Sequence, residues 1–372
     1  MSDKKEICYT QVGTPVSMYS GKTRSYLIHK GIPFIERGSN PWEFSVTFKK
    51  RLNTSAAPVV ITPEGEYLQD TSHIIDVLEK RFPDRPVLPA SPVLRIVSYL
   101  FELWGDEFWV AFSMHTRWSH RQENSELFVS DVGDFMLKGW PQWIKNAFGR
   151  HFAGKMSSYT PGLGINEKSA PLMDRFLVTQ LDGLEKHFST HRFLFGDRPS
   201  LGDFGMMSPL YAHIGRDTWS KRELIESRPN LKAWIERMYD AESSIDGELQ
   251  AEDAVPATLM PALRSIFDEM LPYIAACADA VRKTPVLPAT TKTAPRWLDT
   301  VSYPLAGGTH ERKATSYIVW MAQRLLEELR AMPVDDQEKV RNWLAQVGGE
   351  ALLELELPRV ARIGLSAAHI EN

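Results

Sequence analysis

Short apolar and polar runs alternate through the first eighty residues. Residues 7–12 read as a strand, 22–30 as a helix ended by Gly31 and Pro33, and 34–37 as a second strand. Residues 58–61 give a third strand, Glu64-Gly65 a turn, and 66–68 a fourth strand. Residues 71–81 form a helix with Ile74, Ile75, Leu78 and Phe82 at helical spacing. This order predicts a small α/β unit over residues 1–88, joined to the rest of the chain by the proline-rich stretch 83–92.

The second part reads as all-helical, over residues 92–246. Leu94, Val97, Phe101, Trp104, Phe108, Phe112 and His115 fall on one stripe of a helix spanning 92–120. Residues 172–188 form another amphipathic run, and 154–164 read as a loop. Ser200-Leu-Gly-Asp203 has capping-box spacing ahead of the apolar run 204–214, and Arg228-Pro-Asn-Leu opens a further helix. A third, mostly helical part covers 247–372. Leu259, Leu263, Ile266, Met270, Ile274 and Cys277 mark a long helix with a bend at Pro272. Residues 285–295 read as a linker. An alternating run from 297 to 305 ends at Gly307-Gly308, a hairpin signal, and helices follow over 314–331 and 335–353.

Composition narrows the class. The 372 residues are 43% apolar and 24% charged, as in a globular protein of two or three domains. A net charge of −4 argues against a nucleic-acid partner. The two cysteines, Cys8 and Cys277, cannot build a disulfide framework, and no Cys/His spacing suggests a metal. No apolar stretch is long enough to span a membrane, and the charged start Met-Ser-Asp-Lys-Lys-Glu lacks a signal core. A cytoplasmic location and no membrane association are expected.

The candidate chemistry lies in Ser17-Met-Tyr-Ser-Gly-Lys-Thr-Arg24, between the first strand and the first helix. A hydroxyl there stands near helix N–H groups that favour an anion. Gly21-Lys22-Thr23 suggests a phosphate loop, yet Val16 stands where that loop needs its first glycine. The other reading is a thiolate site. Ser17, Tyr19 and Ser20 are the hydroxyl candidates, and Arg24 is read as structural.

Ser17 seven residues before Arg24, then Ala57-Pro58-Val59-Val60, Asp70-Thr71-Ser72-His73-Ile74, Ser200-Leu-Gly-Asp203 and Pro229-Asn-Leu-Lys-Ala-Trp234, occur in this order. In this series the chain resembles the serine-type, cytosolic glutathione transferases over roughly residues 5 to 245. The resemblance implies a thioredoxin-like α/β domain, an all-α transferase domain, glutathione as co-substrate and a homodimer. It implies that Ser17 holds the glutathione thiolate. Ala57, before a cis-Pro58, would pair with the cysteinyl backbone, and Asp70 and Thr71 would take the γ-glutamyl group. The lysine common before that proline is absent. Lys49, or else Lys50 or Arg51, is the candidate for the glycyl carboxylate. Tyr19, Phe108, Phe112, His115 and Arg117 are candidates to line a pocket for a small hydrophobic or aromatic electrophile, with a salt-bridging role as the other reading of His115 and Arg117.

The thiol of glutathione has a pKa of about 8.5, so a hydrogen bond to sulfur and a helix dipole both raise the reactive thiolate fraction. The rival class is a non-catalytic binding or regulatory protein that uses residues 247–372 as a contact surface. A glutathione-dependent oxidoreductase acting through Cys8 is a third. The extension after residue 247 carries no recognisable nucleophile, metal set or phosphate loop, and covering the helical domain, closing the cleft or enlarging a dimer contact are its open roles.

Overall fold

Strand β1 (Tyr9–Val12) runs parallel to β2 (Phe34–Arg37) and antiparallel to β3 (Val59–Ile61), and β4 (Tyr67–Gln69) completes the order β2-β1-β3-β4. The computed structural model describes residues 8–240 and 247–370. Ile7, the first residue of the expected strand, lies outside them. Helix α1 (Met18–Lys30) links β1 to β2, a short α2 (Phe48–Leu52) precedes β3, and α3 (Thr71–Arg81) follows β4. Helix α1 begins four residues earlier than the apolar spacing predicts, because Ser17 caps it. The four strands, α1 and α3 follow the order that the sequence predicts, in the thioredoxin-like arrangement that the resemblance implies, and α2 is an addition that the apolar pattern does not reveal.

The helical part opens with α4 (Pro92–Leu103), a π-helical turn (Trp104–Phe108) and α5 (Val110–Ser119), in place of one straight helix. Two helices that the apolar pattern does not reveal come next, α6 (Arg121–Met136) and α7 (Gln142–Ser157), so the expected loop from 154 starts only after Ser157. Then come α8 (Ala170–Phe188), α9 (Leu201–Pro209), the single turn α10 (Thr218–Ser220) and α11 (Pro229–Arg237). The capping box forms as expected: Ser200 N–H donates to Asp203 Oδ2 at 2.9 Å, and Asp203 N–H to Ser200 Oγ at 3.4 Å. Asp203 Oδ1 also accepts from Trp234 Nε1 at 3.1 Å, which ties the capping box to the Pro-Asn-Leu…Trp segment. Burial outweighs these bonds and pushes the Asp203 carboxyl up to about 6.

Beyond residue 247 the chain forms α12 (Met260–Ser265), a π-helical turn (Ile266–Met270) and α13 (Leu271–Arg282). The stripe Leu259, Leu263, Ile266, Met270, Ile274 and Cys277 is buried throughout. The break falls before Pro272 and not at it. Leu271 N–H reaches back five residues to Ile266 O, and Pro272 sits in the first turn of α13, where a missing N–H leaves nothing unpaired. The hairpin β5 (Thr300–Leu305) and β6 (Gly308–Lys313) turns at the expected glycines. Helix α14 (Ser316–Ala331) follows, then α15 (Val334–Val347), which stops at Gly348 instead of running on to 353. A small hairpin, β7 (Ala361–Ile363) with β8 (Ser366–Ala368), ends the described chain. One buried cluster runs unbroken from Tyr9 through the helical part to Ala367, so the extension shares its core with the rest.

Candidate functional site

The turn from β1 into α1 is held from several sides. Ser17 N–H donates to Thr14 O at 3.1 Å, Thr14 N–H to Ser20 Oγ at 3.3 Å, and Arg117 Nη1 on α5 to Val16 O at 3.1 Å. Ser17 Oγ accepts the Ser20 N–H at 3.3 Å. A hydroxyl oxygen that accepts from the helix keeps its own proton for another acceptor. Here that proton stands at a helix N-terminus, where negative charge is favoured. The two neighbouring hydroxyls are engaged. Tyr19 Oη donates to Asp106 O at 3.0 Å, and Ser20 is fully buried.

Gly21-Lys22-Thr23 is no phosphate loop. Lys22 is fully buried, and its Nζ donates to Glu102 Oε1 at 2.8 Å and to Asp106 Oδ2. Gly21 lacks a side chain because a Cβ there would come within 2.7 Å of the Tyr211 ring. The Lys22 ion pairs reach further. Ser72 Oγ donates to Glu102 Oε1 at 2.7 Å, Ser208 Oγ to Asp106 Oδ1 at 2.8 Å, and Arg324 Nη1 of α14 to Glu102 Oε2 at 3.3 Å. Burial drives the Glu102 carboxyl up, but Lys22 and Arg324 outweigh it and hold it low. Burial prevails at Asp106, whose carboxyl is raised.

Ala57 and Pro58 are joined by a cis peptide bond at the start of β3, with Ala57 half-buried. Asp70 caps α3 with φ +85°, and its Oδ1 accepts from His73 N–H at 3.1 Å. Thr71 is the first residue of that helix. Ser17, Ala57-Pro58 and Asp70-Thr71 thus stand at the starts of α1, β3 and α3, on the one small sheet.

The side of this site that the sequence leaves blank is filled by the extension. Tyr317 Oη on α14 donates to Asp70 Oδ2. Burial and then Asp70 hold the Tyr317 hydroxyl well above its ordinary pKa. Arg362 Nη1 on β7 donates to Gln69 Oε1 at 3.3 Å, and Arg324 Nη2 binds both oxygens of Asp76 at 2.9 and 2.8 Å. Asp70 and Thr71 are left only 7% and 6% exposed. Glu107, half-buried beside these groups, is another residue that the sequence reading missed. Burial, then Asp106 and Asp70, push its carboxyl well above the ordinary range. An Asp-Glu pair inside the aromatic run Trp104–Phe108 was a legible signal for it.

The other expected residues separate. Phe108 and Phe112 are fully buried, packed on Phe176 at ring distances of 5.8 and 3.8 Å. His115 is bound by Asp174 at 2.8 Å and Ser119 at 2.9 Å. Arg117 makes a two-pronged pair with Asp217, at 2.6 and 2.9 Å, and donates to Ala212 O at 2.9 Å besides Val16 O. These four lie in the interior, and Arg117 fixes the loop before Ser17 through Val16 O. Lys49 is exposed on α2. Arg24 forks onto Glu36, 2.5 Å on each side, a structural pair. Cys8 is half-buried, and burial pushes the Cys277 thiol up to about 11. Among the described residues no group of three or more His, Cys, Asp or Glu is placed to hold a metal ion, and no helix is long and apolar enough to cross a membrane.

Residues 12–86 match the family model of the glutathione S-transferase N-terminal domain, and residues 177–237 that of the C-terminal domain. Solved structures resemble the chain at low identity. A glutathione S-transferase from Rhodospirillum rubrum F11 is 18% identical, with 63% of this chain and 89% of that one covered and a TM-score of 0.40. The beta-etherase LigF from Sphingobium sp. strain SYK-6 is 20% identical, with 63% and 96% covered and a TM-score of 0.43. A glutathione S-transferase from Methylobacterium radiotolerans JCM 2831, in complex with glutathione sulfonate, is 19% identical, with 67% and 98% covered and a TM-score of 0.38. These superpositions are loose, and the two domain matches carry the weight.

Proposed function

The chain belongs to the glutathione S-transferase superfamily, and from that premise we propose that it is a glutathione-dependent transferase with Ser17 as the hydroxyl that holds the thiolate. One observation carries this reading. Of the three candidate hydroxyls, Ser17 alone combines a helix-capping oxygen with a partly exposed position, while Tyr19 is bonded to Asp106 O and Ser20 is sealed in. The γ-glutamyl group goes to Asp70 and Thr71, where the N–H groups of α3 take its carboxylate and Asp70 takes its ammonium. The cysteinyl backbone pairs with Ala57. The thiolate attacks an electrophilic carbon of a hydrophobic or aromatic substrate, forming a C–S bond as the leaving group departs with its bonding pair. The homodimer and cytoplasmic location implied by the family belong to the same proposal.

A second reading has its own observation. Tyr317 on Asp70 supports a member of the family that keeps the scaffold with its γ-glutamyl anchor occupied by its own extension, as a binding or regulatory protein. Calorimetry with glutathione separates the two, since the transferase reading requires binding at millimolar concentration. A charge-assisted hydrogen bond of about 1.5–3 kcal/mol corresponds to one to two pKa units. Ser17→Ala is therefore expected to raise the pKa of the bound thiol by about one unit, read from the ultraviolet thiolate band. An unchanged titration would remove Ser17 from the role.

A further inference from the structure

Five of the ten widely exposed large apolar side chains among the described residues lie on two segments: Ile35, Trp42 and Val46 on residues 35–46, and Trp140 and Trp143 on residues 140–143. Trp42 and Trp143 are 71% and 72% exposed. The fold brings the two segments together. Phe44 meets Phe135 edge to face at 6.0 Å, and Phe44, Phe48, Phe135, Leu137 and Ile144 share one small core cluster. The segment carrying Trp42 thus packs on the end of α6 and the start of α7, with Trp140 in the turn between them and Trp143 in the first turn of α7.

The charge at this edge runs against the chain as a whole. Residues 38–53 hold Lys49, Lys50 and Arg51, and one carboxylate, Glu43, which Arg37 binds through two contacts of 2.6 and 2.8 Å. Residues 137–157 hold Lys138, Lys145, Arg150 and Lys155 and no carboxylate, and of these Lys145 is paired with Asp134 of α6 at 2.7 Å, which leaves Lys138, Arg150 and Lys155. The full chain has a net charge of −4, so these cations are concentrated, not average.

We propose that this edge is a docking surface for an anionic phospholipid bilayer. Indoles settle at the headgroup level of a membrane, and cations beside them are attracted to anionic lipids. A second copy of the same face does not fit, because it would set cations against cations. Nucleic acid suits the charge and the three indoles could stack on bases, but the exposed aliphatic Ile35 and Val46 gain nothing from it, and the tryptophans sit at the tip of a helical pair, not along a groove that tracks a backbone. The expectation of no membrane association rested on the lack of a spanning segment, which an interfacial surface does not need. This inference does not rest on the glutathione reading; Lys49, Lys50 and Arg51 are also its candidates for the glycyl carboxylate, and the variants below leave them in place.

The test uses the full-length protein with phosphatidylcholine vesicles, with and without phosphatidylglycerol. Co-sedimentation and a blue shift of tryptophan emission are expected with the anionic vesicles alone, and added salt should weaken both. Trp140→Ala with Trp143→Ala, and separately Lys138→Glu with Arg150→Glu, should each lower the partition coefficient on the order of tenfold or more. Glutathione binding should stay at the wild-type level in both, since none of the four residues belongs to the thiol site. Absence of binding to anionic vesicles, equal binding to neutral ones, or undiminished binding by both variants would overturn the proposal. So would binding to duplex DNA or RNA that both variants lose while vesicles leave the protein in solution.

Discussion

Replacing Tyr317 by Phe removes one hydroxyl and leaves the ring in place. In the wild type that hydroxyl donates to Asp70 Oδ2, while Oδ1 is taken by the His73 N–H. Both carboxylate oxygens are therefore engaged before any ligand arrives. If Asp70 anchors the γ-glutamyl ammonium, glutathione must displace the Tyr317 hydroxyl. A hydrogen bond to a charged group contributes about 1.5–3 kcal/mol. Tyr317→Phe removes that competition, and the dissociation constant for glutathione should fall by roughly ten- to a hundredfold, at about 1.4 kcal/mol per tenfold. The free protein should become less stable by a similar amount, because Asp70 loses a partner at a buried site. The signature is thus a pair of opposite changes: lower thermal stability without ligand, tighter binding in calorimetry. Weaker binding in the variant would mean that Tyr317 contacts the ligand itself. Unchanged affinity with reduced stability would mean that the ammonium does not use Asp70.

Arg324→Met breaks the contacts of α14 with Asp76 and Glu102. Glu102 retains Lys22 and Asp76 is 41% exposed at its side chain, so a loss of about 2 kcal/mol in urea unfolding is expected, below the full figure for a buried pair. No measurable loss would show that solvent screens the contact. Burial holds His187 down to about 3, with its ring bonded to Thr258 at 2.8 Å and to Phe193 O at 3.2 Å. Its unfolded pKa is about 6.5, so this group's contribution is complete above that pH and is lost as pH falls from there toward the folded value. Between pH 7 and 5 the share is about 2 kcal/mol. Asp203, raised to about 6, takes up a proton in the same range and offsets part of the loss. The informative comparison is therefore His187→Asn, whose stability should fall less between pH 7 and 5 than that of the wild type. Parallel falls would place the acid sensitivity elsewhere.

Much of the framework could be read along the chain. The four strands with α1 and α3, though not α2, the capping box at Ser200, the buried stripe from Leu259 to Cys277 and the turn at Gly307-Gly308 each express themselves within a few residues. Helices α6 and α7 could not be read in this way. Their pairing rests on Gly133 and Gly149. A Cβ on Gly133 would meet the Lys145 side chain at 2.8 Å, and one on Gly149 would meet Val129 O at 2.3 Å, so each glycine admits the other helix. A missing side chain announces such an approach only when the partner is known.

The proposed thiol site divides along the same line. Ser17 as helix cap, Ala57-Pro58 at the start of β3 and Asp70-Thr71 at the start of α3 were determined by the sequence itself, because caps and strand starts act over three or four residues. Which polar groups surround them was decided by the tertiary structure. Arg117 holds Val16 O from 101 positions away, Lys22 is neutralised by Glu102 and Asp106, and Tyr317 reaches Asp70 across 247 positions. Periodicity and capping are short-range signals. The pairing of buried charges depends on which helices the shared core brings together, and that is settled only when the extension packs against the rest.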